Sequence, residues 1–310
     1  MVVAKIINRV LHALIVIVAV SSFVFCFLRV SGDPAALLLP QDATQDEVAA
    51  LRKSMGLDDP QYIQYLRFMG NLFQGDLGNS FQYRQPALKL LLERIPATLE
   101  LTFAAIIFAV VVAIPLGIIS AVRYGSGVDT FALGFATIGQ SIPLFWLGLM
   151  LMLFFSVHLN WLPTSGRGSL KHLVLPALTL GAYPMAAIVR LLRANMLTAL
   201  RMEYVTAARA RGVAEFWVVI KHAFRNAAIP VVTMIGLQFG ILFGGAVVVE
   251  MIFCWPGIGR LMILAIYHRD FPLVQAAVIF LALLFVIVNF TVDLLYTYLD
   301  PKVKAGGSES

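Results

Sequence analysis

The stretch TLELTFAAIIFAVVVAIPLGIISAV, from Thr98 to Val122, decides the fold of this chain. It carries one charged side chain, Glu100, close to its start. An α-helix needs about 20 predominantly apolar residues to cross the ~30 Å hydrocarbon layer of a bilayer. The stretch therefore predicts a membrane-spanning helix.

Other parts of the chain have the same length and character, so we expect an all-α integral membrane protein with six transmembrane helices. The first apolar run is too long for a secretory signal and is not followed by a cleavage site, so we interpret it as a retained anchor. The other five predicted spans run from Val10 to Leu28, Phe131 to Val157, Leu173 to Leu192, Ile229 to Phe253 and Leu273 to Tyr298.

The composition agrees with a membrane location. Of the 310 residues, 60% are apolar and 13% are charged, whereas a soluble domain usually has roughly 25% charged residues. The net charge of +6 does not indicate a nucleic acid partner, because the basic residues lie between the apolar runs and not in a stripe with interleaved aromatics. The histidines lack metal-ligand spacing. We expect membrane lipid around the chain, and neither a metal nor another cofactor.

Basic residues predict the orientation, because lysine and arginine in short loops stay on the cytoplasmic side during insertion. Lys5 and Arg9 place the N-terminus there, and an even number of spans places Arg123 and Lys302 on the same side. Both termini are therefore expected in the cytoplasm. The predicted regions are an N-terminal transmembrane helix (1–30), an extracytoplasmic amphipathic segment (31–97), a five-helix transmembrane core (98–299) with a long loop (193–228), and a cytoplasmic tail (300–310).

Part of the extracytoplasmic segment has helical periodicity. Apolar residues from Leu51 to Leu72 recur at roughly helical spacing, interrupted by Pro60 and followed by Gly75. Small amphipathic helices are the expected structure. They would serve as a docking platform for an external partner or as a cap over the helix bundle, and the pattern does not separate the two.

The loop 193–228 is far longer than a chain reversal requires. It contains helix formers from Glu203, then Gly212, then a second helical stretch towards Pro230, which predicts helix, sharp turn, helix. The small side chains of Ala207 and Ala208 would allow a close approach to a groove on another protein. The alternative is a basic segment that rests on anionic lipid headgroups.

The motif Thr206-Ala-Ala-x-x-x-Gly212 resembles the EAA-type cytoplasmic loop in permease subunits of bacterial ATP-binding-cassette importers. The usual Ile-x-Leu-Pro ending is absent, and His222-Ala-Phe-Arg-Asn-Ala precedes Pro230 instead, as in the dipeptide, oligopeptide and nickel branch. Further resemblances to that branch are Gly32-Asp33-Pro34, Gln74-Gly75-Asp76-Leu77-Gly78-x-Ser80, Pro96-Ala97-Thr98-Leu99-Glu100, Trp255-Pro256-Gly257-Ile258-Gly259 and Arg269-Asp270-x-Pro272-x-Val274-Gln275.

The resemblance implies a permease in the bacterial inner membrane that pairs with a second homologous permease subunit, two cytoplasmic ATP-binding subunits and an extracytoplasmic substrate-binding protein. The sequence has no Gly-Lys pair and thus no G-x-x-x-x-G-K-[ST] loop, so we expect a non-enzyme whose partners hydrolyse ATP. The implied solute is a di- or oligopeptide, with glutathione, nickel chelates and other small solutes left open. The implied coupling helix would dock the ATP-binding subunits through Glu203, Thr206, Ala207, Ala208 and Gly212.

Polar residues inside the apolar runs are candidates for a solute pathway. Gln140 and Ser141 precede Pro143, where a helix would bend, and Gln238 lies among closely spaced glycines. Glu250 is a fourth candidate, although we favour a structural role for it at a helix end. Packing explains the glycines about as well as a pathway does. An ion-coupled secondary transporter or channel is the alternative function, and it would need carboxylates or histidines within the spans.

Overall fold

The computed structural model describes residues 2–30, 44–54 and 56–299. The regular structure of these residues is helical apart from one isolated bridge between Asn79 and Pro86, which confirms the all-α class. The predicted tail and residues 31–43 lie outside the described residues. The helices are α1 (Val2–Val30), α2 (Gln45–Ser54), α3 (Gln61–Phe73), α4 (Ala87–Val122), α5 (Gly127–Ser141), α6 (Leu144–Leu151, continued as a π-helix over Met152–His158), α7 (Leu170–Leu200), α8 (Glu203–Ala210), α9 (Glu215–Trp217, continued as a π-helix over Val218–Phe224), α10 (Arg225–Ile252), α11 (Ile258–Tyr267) and α12 (Phe271–Leu299).

Four of the described helical stretches are long and apolar enough to cross a membrane. They are α4, α7, the continuous stretch Glu215–Ile252 and α12 over Phe271–Thr291. A fifth crossing results if α5, α6 and its π-helical continuation count as one span. The apolar part of α1 among the described residues, Leu14–Phe27, is shorter than a span needs. The predicted number of six is therefore not confirmed.

The structure divides the predicted span from Phe131 to Val157 into two helices. α5 ends at Ser141 and α6 begins at Leu144, with a bend of 105° between them. Pro143 has no N–H for the helical ladder and disfavours a helical conformation at the residue before it. The predicted bend at this proline is thus confirmed, and its angle makes the pair a broken span or a re-entrant loop.

The chain forms two compact units. Unit 1 comprises Met1–Ala97 with Pro256–Ile287, and unit 2 comprises Thr98–Trp255 with Val288–Ser310. In unit 1, α3 contacts α1 through a hydrogen bond of 2.6 Å between the Tyr65 hydroxyl and Ser22 Oγ. The presence of α2 and α3 confirms the predicted short helices, while their use as a platform stays a prediction.

A buried aspartate organises another part of unit 1. Asp270 accepts hydrogen bonds from Ser80 Oγ and from the backbone N–H groups of Phe81, Gln82 and Leu273. One carboxylate therefore holds the turn after Ser80 and the first turn of α12. This contact gives a structural reason for two of the motifs noted above, around Ser80 and around Asp270.

Helix α7 lies at the centre of unit 2. In its apolar stretch 72% of the residues are buried, against 39% in α4, and it contacts both α5 and α10. Close approach to α4 requires a glycine at position 181, because a Cβ there would lie 2.5 Å from the carbonyl oxygen of Ala105. Small residues at such contacts let helix backbones pack tightly in a membrane.

Candidate functional site

The predicted helix, turn and helix of the long loop are present. Two residues separate the end of α7 from the start of α8, and Gly212 follows the C-terminus of α8 with φ of 77°. The N–H of Gly212 donates to the carbonyl of Arg209, and the N–H of Val213 donates to the carbonyl of Ala208. This is the Schellman pattern, in which glycine adopts the left-handed conformation that side chains disfavour. We call Glu203–Gly212 the coupling segment.

The two faces of the coupling segment differ. Val205 and Ala208 have no exposed surface and pack in the main apolar core of unit 2, beside Val218 and Ala223. The remaining residues of the segment, including Glu203, Thr206, Ala207 and Gly212, are exposed. The structure therefore places four of the five predicted coupling residues on the free face and Ala208 against the chain itself.

An ion pair crosses the turn at Gly212. Arg209 donates to both carboxylate oxygens of Glu215, at 3.1 and 2.6 Å, and this hydrogen bonding raises the pKa of Arg209 above its ordinary value. Both side chains are largely exposed, at 43% and 58%, so the pair contributes at most about 1 kcal/mol. It links the end of α8 to the start of α9 across the turn.

A buried ion pair holds the nearby end of α7. Arg193 donates from Nε and Nη2 to the two carboxylate oxygens of Asp129, at 2.8 and 2.7 Å. Ser120 Oγ and the Gly125 N–H also donate to Asp129, and the Tyr124 ring lies 5.1 Å from the Arg193 guanidinium carbon. The end of α4, the start of α5 and α7 are thereby joined.

This cluster was not predicted from the sequence. Ser126 caps α5 by accepting a hydrogen bond from the Asp129 N–H at 3.4 Å. The spacing Ser-x-x-Asp before an apolar run signals a helix start, and it could have drawn attention to Asp129. Its partner Arg193 lies 64 residues away in the chain, and spacing alone does not pair residues over such a distance.

The four pathway candidates fall into two groups. Gln140 and Ser141 lie together at the bend: Gln140 Oε1 accepts from Arg190 Nη2 at 2.6 Å, and Ser141 Oγ donates to the Thr137 carbonyl at 3.0 Å. Gln238 is 6% exposed within α10. Glu250, in the same helix, is fully buried and accepts from Thr98 Oγ1 at 2.6 Å.

The four candidates differ in whether a solute could reach their side chains. A solute reaches a side chain only where part of it is open, and the pair at the bend meets that condition. The buried carboxylate of Glu250 and its bond to Thr98 fit the structural role that we favoured for it. Arg190 was not among the predicted pathway residues, and its bond to Gln140 adds it to the group at the bend.

Two family models match the chain. Residues 2–102 match the N-terminal part, and residues 113–305 the main part, of the binding-protein-dependent transport system inner membrane component. The chain belongs to this family. The resemblance inferred from the coupling segment is thus confirmed: the chain is an ABC importer permease, from a family of membrane permeases and not of catalytic enzymes.

Similar proteins agree with this assignment. The glutathione transport system permease protein GsiC of Salmonella paratyphi A is 43% identical over 94% of each chain. The Escherichia coli K12 protein of that name is 42% identical over 96% of this chain and 98% of its own.

Solved structures support the fold. The inward-facing MetNI methionine ABC transporter has a TM-score of 0.58 at 20% identity, covering 68% of this permease and 96% of the matched chain. An amino acid ABC transporter crystallised with histidines has a TM-score of 0.52 at 16% identity, covering 69% and 94%.

Proposed function

We propose that this permease subunit serves an ATP-driven, binding-protein-dependent importer of glutathione or a closely similar short peptide. The observation that carries the proposal is the coupling segment: a short helix with small exposed residues, packed on the core of unit 2 directly after the central helix α7. Such an element suits the transfer of motion from a partner to the membrane helices. The names of the two similar GsiC proteins support the solute class.

The proposed assembly contains a second homologous permease, two cytoplasmic ATP-binding subunits and an extracytoplasmic binding protein. The chain has no nucleotide-binding loop of its own, so the energy of ATP must enter through a partner. Glu203, Thr206, Ala207 and Gly212 form the proposed contact with the ATP-binding subunits, and Ala208 seats the helix that presents them. This arrangement requires the coupling segment to face the cytoplasm, with both termini on that side.

The test is glutathione uptake by the complete complex in lipid vesicles. Internal radiolabelled glutathione is measured with ATP on the side of the ATP-binding subunits and the binding protein on the other side. We expect uptake that needs both and that stops with a non-hydrolysable ATP analogue. Uptake driven by a proton or sodium gradient without ATP would contradict the proposal and favour the ion-coupled alternative.

A further inference from the structure

From Tyr183 onwards, the central helix α7 has an exposed stripe whose composition is unlike a lipid-facing surface. The stripe presents Tyr183, Arg190, Ala194 and Thr198, with Ala187 partly buried among them. The exposed face of α4 instead carries large apolar side chains, at Phe103, Ile107, Val111 and Ile119. A stripe that contains an arginine is unsuited to hydrocarbon, because a charge at membrane depth is costly. It suits a water-filled passage.

Arg190 extends towards the middle of α7. Ala182 lies level with Gly139, since a Cβ added to Gly139 would lie 3.2 Å from the Ala182 carbonyl oxygen. Gln140 follows Gly139 and therefore lies near the level of Ala182. The Cα of Arg190 lies roughly 12 Å further along α7 than Ala182, at ~1.5 Å per residue. The 2.6 Å bond to Gln140 therefore draws the guanidinium inwards.

The charge of Arg190 has no carboxylate partner in the described part of the chain. Its one hydrogen bond there is to the neutral amide of Gln140, although a guanidinium offers five N–H donors. Arg193, one turn further along α7, is paired with both oxygens of Asp129. Arg193 is therefore held by a countercharge within the chain, whereas the exposed Arg190 has none among the described residues.

The bend beside Gln140 adds a second feature that favours anions. α6 begins at Leu144, after Pro143, and no side chain caps its N-terminus. In membrane transporters the first turn of a broken helix presents N–H groups and a partial positive charge to anionic solute groups. Gln140 precedes this turn by four residues, so the guanidinium and the helix start lie at one bend.

We propose that Arg190, held in place by Gln140, binds a carboxylate of the transported solute. The inference rests on the proposed function and narrows it, because it restricts the passage to small solutes with a carboxylate, such as a peptide with a free C-terminus. Arg190 would contact the solute directly, and Gln140 would act as a positioning residue.

The charge series Arg190→Lys and Arg190→Gln tests the proposal in the complete complex, assayed for ATP-driven glutathione uptake into vesicles. We expect Arg190→Gln to lower the uptake rate about 10-fold and Arg190→Lys to keep at least a third of it. Gln140→Leu should lower it less than Arg190→Gln, because the charge remains. Arg123→Gln is the matched control, since it removes an equal charge from an exposed arginine at the end of α4, and we expect the wild-type rate.

Glutathione diethyl ester, which has no free carboxylate, provides the second comparison. Relative to wild type, Arg190→Gln should lower the uptake rate of glutathione but not that of the ester. Both variants are assayed with the same binding protein, so any preference of that protein for one solute affects them equally. If wild type does not import the ester, the charge series decides alone.

Wild-type rates of glutathione uptake in Arg190→Gln would overturn the inference. Loss of the second permease from purified Arg190→Gln complexes would also overturn it and assign Arg190 to a subunit contact. Absence of ATP-driven uptake by the wild-type complex would instead reject the proposed function.

Discussion

Two neighbouring alanines in α8 have different surroundings, although the sequence motif treats them alike. Ala208 has no exposed surface and lies in the core of unit 2, while Ala207 is exposed. A large side chain at Ala208 would disturb this chain, and one at Ala207 would disturb whatever lies against it. The pair therefore distinguishes folding from partner contact.

Ala207→Trp should release the ATP-binding subunits, because an indole on the exposed face prevents close approach, while the permease keeps its unfolding temperature. Ala208→Trp, the matched control, should lower the stability of the permease itself by about 1 to 3 kcal/mol through overpacking. Co-purification of the ATP-binding subunits and thermal unfolding in detergent measure the two effects. Full association and full uptake in Ala207→Trp would contradict the coupling assignment.

Gly212 gives a second prediction for single residues. A Cβ at Gly212 would meet no atom within 4 Å, but its φ is 77°, so Gly212→Ala should cost about 1 kcal/mol from backbone strain alone. Gly134→Ala is the control, because Gly134 lies inside a helix with equally open space and should gain up to about 1 kcal/mol. Equal unfolding temperatures for the two variants would argue against a strained turn.

Among the elements, α7 directly precedes the coupling segment, and α8 is the helix of that segment. Their buried side chains belong to one apolar core, and the Asp129–Arg193 pair ties the end of α7 to α5. Packed cores shift between discrete arrangements and do not deform smoothly. We therefore expect a displacement of α8 to move α7 and α5 together.

Removal of one partner from the buried ion pair should weaken this connection. Asp129→Asn leaves the largely buried guanidinium of Arg193 without its countercharge, at an expected cost of about 3 to 5 kcal/mol. Arg209→Gln, which breaks the exposed pair with Glu215, should cost less than about 1 kcal/mol. Denaturant unfolding of the purified permease compares the two variants. Similar losses in both would show that the Asp129 cluster has no special role in stability.

At the scale of the whole molecule, the orientation in the membrane stays a prediction from the basic residues. Labelling of single cysteines with a membrane-impermeant reagent tests it, after the exposed Cys26 and Cys254 are replaced by serine. Arg52→Cys should react in intact cells, and Arg209→Cys should react only after the membrane is opened. Reaction of both sites from the outside would contradict the predicted topology.

The sequence predicted features that depend on local chemistry. Apolar composition identified the long helices, Pro143 the bend, and Gly212 the sharp turn after α8. The 105° angle at the bend and the burial of Ala208 depend on packing between distant segments, and a single sequence does not encode such pairings in its spacing. The same reason hid Arg190, which lies inside the predicted span Leu173–Leu192 and which only its bond to Gln140 places beside the bend.

The aspartate of unit 1 has a consequence for biosynthesis. Ser80 and Asp270 are 190 residues apart in the chain, so the turn at Ser80 has no carboxylate to bind until most of the protein has been made. At roughly 5 to 20 residues per second, the ribosome needs about 10 to 40 s to cover that distance. During this interval the early helices of unit 1 are already outside the ribosome without their last contact, and a chain that stops before Asp270 never completes it. Such a truncated product would be exposed to quality-control proteases.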